Sequence, residues 1–174
     1  MGDVEIISNA DIATKIPLWA RSLTEAMGYL GVFFVSFIGS ATIIFPIPSF
    51  ALVFLLGAVM NPWLVALSAA AGNTAGELTG YALGKGSGKL IEKKYKKVLK
   101  KYKKWFERDR TFLLIVLFAA TPLPDDVVGL LCGVFNYNLK KFVLASFIGK
   151  FAMNLLLALG GFYGLRWVLT LFGA

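Results

Sequence analysis

From Met27 to Met60 the chain carries no charged residue over 34 consecutive positions. Drawn as one helix rising about 1.5 Å per residue, that run would be about 51 Å long, whereas a hydrocarbon layer is about 30 Å thick. Pro46 and Pro48 resolve the excess, because each ring removes an amide donor and drives the preceding residue out of helical conformation. The pattern predicts a helix that stops near Phe45 and a shorter arm from Ser49 to Met60, with Ser49 as its N-cap. At about 18 Å this arm cannot span and suits a return to its starting side, making 27–60 a re-entrant hairpin. In the rival topology Met27 to Phe45 crosses completely.

After the Asn61-Pro62 turn, residues 63–84 are long enough to cross a bilayer once. Gly72, Gly76, Gly80, Gly84 and Gly88 recur at every fourth position, so another helix can approach this one closely. Residues 85–110 leave the apolar pattern. There Ile91, Tyr95, Val98, Leu99, Tyr102, Trp105 and Phe106 recur at helical spacing among lysines, which predicts a basic amphipathic helix. The glycines of Gly84-Lys-Gly-Ser-Gly88 mark the exit from the preceding helix, without P-loop spacing. Residues 111–135 form a second interrupted apolar segment, broken by Pro122 and Pro124 and followed by a polar exit over 136–141. Residues 142–163 read as a second spanning helix, then Gly160, Gly161 and Gly164 offer a kink before a short tail. At the other end, Ile12, Ile16, Trp19 and Leu23 over 1–26 suit a helix in the membrane interface, or else a loosely ordered tail.

The two interrupted segments are copies. At a spacing of 76, Pro46, Pro48 and Gly57 fall on Pro122, Pro124 and Gly133; at 77, Asn61, Gly72 and Gly84 fall on Asn138, Gly149 and Gly161. Each unit, 27–84 and 111–174, holds one hairpin and one crossing, and an odd number of crossings turns the second unit over. The predicted fold is all-α: a polytopic membrane protein of two inverted repeats, with broken helices meeting near the midplane around a transport site.

Composition agrees with a membrane setting. Hydrophobic residues make up 57% and mean hydropathy is +0.71, above soluble domains. The net charge of +8 is local: twelve of the eighteen Lys and Arg lie between Lys85 and Arg110, opposed there by Glu92, Glu107 and Asp109, giving +9 in that segment and −1 elsewhere. Flanking membrane segments favour an anionic lipid surface over nucleic acid as its partner. The positive-inside rule places this segment in the cytoplasm of a multi-pass cell-membrane protein, with Lys140 and Lys141 on the same side. The acidic Asp3, Glu5 and Asp11 do not fit a basic signal-peptide start. A lone Cys132 and the absence of histidine leave no disulfide or zinc ligand set, and no nucleophile–base pair appears, so neither an enzyme nor a bound cofactor is expected. Homo-oligomerisation stays open.

Phe45-Pro-Ile-Pro-Ser, Gly72-Asn-Thr-Ala-Gly-Glu77 followed by Gly80-Tyr-Ala-Leu-Gly84, and Thr121-Pro-Leu-Pro-Asp125 followed by Gly129 and Gly133 resemble the DedA/VTT superfamily, also called the SNARE-associated Golgi protein domain. The resemblance covers about residues 28–165. It implies facing re-entrant hairpins and movement of lipids between leaflets, by a scramblase or a translocase of polyprenyl-phosphate carriers, in some members coupled to the proton gradient. Two departures stand out. Ser49 and Phe50 follow the first Pro-x-Pro where an acidic residue is common, and Thr121, Asp125 and Asp126 surround the second where arginines are common. Phosphate binding by embedded arginines is therefore not carried over.

Ionisable groups at membrane depth are few: Glu77, Asp125, Asp126 and Lys150. Asn73 and Glu77 share a helix face, as do their repeat counterparts Lys150 and Asn154, so Glu77 can pair with Lys150 across two packed helices. That pair either serves transport or only fixes helix register. Asp125 and Asp126 open the second return arm; capping explains one carboxylate, whereas two adjacent ones suggest uptake of a proton or cation. Ser49, with free amides at the first return arm, and Thr121, together with Lys150, Asn73 and Asn154, are candidates for headgroup binding. Lipid translocation is the leading function; a proton- or cation-coupled exporter of a small solute and a non-transporting scaffold are the competitors.

Overall fold

The computed structural model describes residues 18–41, 49–106, 110–121 and 126–171, with side chains described over 28–41, 50–88, 110–121 and 127–164. Among them are six helices and no strand: α1 (Leu18–Ala41), α2 (Ser49–Val59), α3 (Pro62–Phe106), α4 (Arg110–Ala119), α5 (Asp126–Val134) and α6 (Leu139–Leu171). Gly28 breaks α1, with φ +49° and ψ −159° inside the helix, a conformation that only glycine adopts without strain. The apolar arm therefore runs from Gly28 to Ala41. The proline-containing breaks at Pro46, Pro48, Pro122 and Pro124 lie outside the described residues, as does the expected stop near Phe45.

The matched asparagines start the two long helices. Asn61 Oδ1 accepts from the Trp63 and Leu64 amides at 3.0 and 3.4 Å, and Asn138 Oδ1 accepts from the Lys141 amide at 3.1 Å. Pro62 needs no such acceptor, having no amide hydrogen, and suits the first helical position. At the end of α5, Asn136 takes φ +53° while its amide donates to Gly133 O and that of Tyr137 to Cys132 O, closing the helix with a left-handed cap.

Packing follows the repeat. Gly57 of α2 lies against the Ala158 backbone of α6, and its counterpart Gly133 of α5 lies against the Tyr81 backbone of α3. Gly161 meets Phe54, and Gly84 meets Leu130, at the same matched spacings. Each short arm is thus packed on the long helix of the other half. Two core clusters result, one around Val53, Leu56, Val65 and Ala158, the other around Cys132, Phe142 and Tyr81, with Leu56/Cys132, Val65/Phe142 and Ala158/Tyr81 at equivalent positions. Tyr81 also stacks on Phe142, and its hydroxyl donates to Tyr137 O at 2.6 Å.

Two expectations change. Residues 63–84 and 85–106 are a single helix, and Gly84, Gly86 and Gly88 do not end it. Glycine loses about 1 kcal/mol of helix propensity relative to alanine, but close packing of Gly84 on Leu130 and a back-bond from Ser87 Oγ to Leu83 O at 2.7 Å hold the turn. Likewise α6 continues through Gly160, Gly161 and Gly164, the second of which is a packing contact. Among the described residues only Leu139–Gly164 is both long and apolar enough to cross a membrane; in the corresponding part of α3, Asn73, Glu77 and the glycines dilute the apolar content.

Candidate functional site

Small residues bring α3 and α6 together. Ala66, Ala69 and Ala70 precede Asn73, Thr74 and Glu77 on the buried side of α3, while Ala145, Ser146, Lys150, Met153 and Asn154 form the buried side of α6. Where the two meet, Lys150 Nζ lies 3.0 Å from Glu77 Oε1, with the side chains 6% and 2% exposed. The pair sits between the two core clusters along both helices. Removing each ion from water costs several kcal/mol, which only a closely matched opposite charge offsets.

The other two members of the expected quartet are also buried but face different partners. Asn154 Nδ2 donates to the Lys150 carbonyl at 2.8 Å, one turn back on α6. Asn73 Oδ1 accepts from Ser40 Oγ at 3.0 Å, tying α3 to α1. The repeat equates Asn73 with Lys150 and Glu77 with Asn154. Equivalent positions therefore carry different chemistry, and charge enters the seam as one oriented pair.

Helices α1, α3 and α6 also bury polar groups that the sequence pattern did not single out. Ser36, Thr74 and Ser146 are buried with hydroxyls that meet no hydrogen-bond partner among the described residues, and Asn154 Oδ1 is in the same state. The available signal was periodic: Ser146, Lys150 and Asn154 follow at four-residue steps, as do Ser36 and Ser40 within an uncharged run. Unpaired buried hydroxyls cost free energy in an apolar setting.

Thr121 follows α4 and its hydroxyl donates to Phe118 O and Leu117 O at 2.9 and 3.2 Å, closing the last turn of that helix. Ser49 and Asp126 are the first residues of α2 and α5, but their side chains, and all of Asp125, lie outside the described residues. Among the described residues no group of three or more His, Cys, Asp or Glu could hold a metal ion.

Leu30, Leu83, Leu113, Leu117 and Leu156 are each more than half exposed on helices whose inner faces are packed. An apolar exterior of this extent around a buried ion pair defines a membrane-associated helical protein. The chain matches the family model of the VTT domain over residues 47–163 and belongs to that family. No curated protein and no solved structure matches it significantly.

Proposed function

We propose that this protein moves lipids between the leaflets of a cell membrane, as a non-enzymatic multi-pass transporter. The observation that carries this reading is the Glu77–Lys150 pair, sealed in the seam between α3 and α6. A purely structural crossing has little use for two charges at that depth. The short arms support it: α2 and α5, at 11 and 9 residues, are about 16 and 14 Å long, roughly half of a hydrocarbon layer. With their N-termini after proline breaks, they read as return arms of re-entrant hairpins, and the reciprocal packing of Gly57 and Gly133 fits repeats related by a two-fold axis. An axis in the membrane plane makes the repeats inverted. A polar headgroup then passes along the seam of Ser36, Asn73, Glu77, Ser146 and Lys150 while its chains stay in lipid. Asp125 and Asp126 take up the proton or cation that drives passage, and Ser49 and Thr121 line the two breaks.

The test is reconstitution into asymmetric liposomes, following labelled phospholipid and polyprenyl phosphate with and without a proton gradient. Redistribution that depends on the protein and falls in Glu77→Gln supports the reading. Protein-dependent movement of a water-soluble solute with no lipid redistribution favours a coupled exporter, and no movement of either leaves a scaffold.

A further inference from the structure

The path of α3 beyond Gly88 is constrained by the rest of the chain. Gly88 stands beside Val134, the last residue of α5, and Leu139 begins α6 a few residues later. α4 begins at that same end, because Phe112 and Ile115 pack with Phe142 and Ala145 while Ala119 meets Gly149 further along α6. From Gly88 to Phe106 the helix rises about 27 Å. Between Phe106 and Arg110, however, three residues bridge at most about 14 Å. A straight continuation of α3 away from the bundle would overshoot what this link can return. The lysine-rich part must therefore run across the end of the bundle.

The same end carries exposed Lys85, Arg110, Lys140 and Lys141. Residues 89–106 add nine lysines against Glu92 alone. The unbroken helical register keeps Ile91, Tyr95, Val98, Leu99, Tyr102, Trp105 and Phe106 at positions of one face. We propose that this basic end is a docking surface for anionic phospholipid headgroups, along which residues 89–106 of α3 lie with their apolar face toward the acyl chains. The inference rests on the membrane reading above. Its chemistry is that of helices that bind acidic leaflets by combining buried apolar area with attraction between lysines and phosphate.

A test uses full-length protein with Trp105→Cys in a Cys132→Ala background, carrying an environment-sensitive label. The protein is placed in vesicles of phosphatidylcholine alone or mixed with phosphatidylglycerol, each containing headgroup-nitroxide lipid as quencher. Strong quenching in the mixed vesicles, falling several-fold in phosphatidylcholine and in a variant with Lys96, Lys97, Lys100, Lys101, Lys103 and Lys104 changed to Gln, is the expected result. A label that stays in water in both vesicles, or is quenched equally in both, overturns the proposal. A second label at Leu156→Cys, on an exposed apolar position, separates the two readings: if it is quenched while the Trp105 label is not, docking alone has failed.

Discussion

Glu77 and Lys150 come from different halves of the chain and meet at 3.0 Å with almost no exposure to solvent. Removing one partner leaves the other charge buried, so Glu77→Gln or Lys150→Met is expected to cost about 3–5 kcal/mol, whereas the double replacement Glu77→Leu with Lys150→Met recovers most of it. Thermal unfolding in detergent measures both. If the pair only fixes register, the stable double variant still transports; the proposed function requires that it does not.

Matched glycines should respond alike. A methyl group at Gly57 would meet the Ala158 backbone and one at Gly133 the Tyr81 backbone, and backbone cannot swing aside. Both alanine substitutions are expected to destabilise by about 1–3 kcal/mol. Gly86→Ala is the control: nothing lies within 4 Å of the added methyl, so the gain in helix propensity of about 0.5–1 kcal/mol should appear.

Tyr81 closes the cluster around Cys132 and Phe142 through its hydroxyl, which donates to Tyr137 O at 2.6 Å in a buried setting. Tyr81→Phe keeps the stacking on Phe142 and removes the donor. A loss of about 1 kcal/mol is expected, read as a lower midpoint of unfolding with wild-type helix content by circular dichroism.

Asp125 and Asp126 adjoin in the sequence just before α5 is under way. If they take up the driving ion, changing both to Asn should abolish the gradient-dependent part of lipid movement while unfolding temperature and helix content hold. Equal transport with and without a gradient in wild type, or an unchanged gradient response in the variant, would remove them from the mechanism.

Much of the site was legible because the repeat is spelled in residues with strong local preferences. The spacing of 77 matched Asn61 to Asn138, which the structure shows capping the two long helices, and the four-residue steps of Asn73/Glu77 and Lys150/Asn154 were enough to place an ion pair between facing helices. What escaped the sequence depends on tertiary contact. Glycine by itself argues against a helix, so the run from Gly84 to Gly88 read as an exit; packing on Leu130 and Val134 reverses that preference. Ser36, Thr74 and Ser146 carry no such local signal, because a small hydroxyl in an apolar helix is ordinarily satisfied by its own backbone, whereas in the fold these three meet no partner among the described residues.

The crossed packing of the short arms bears on how the molecule is made. While the first half leaves the ribosome, the face of α2 that ends on Ala158 and Gly161 has nothing to rest on, since its seat is synthesised last. Neither half can complete its own interior. Insertion must hold an unfinished arm within reach of lipid until the final helix arrives, which makes assembly of the two units a single closing event.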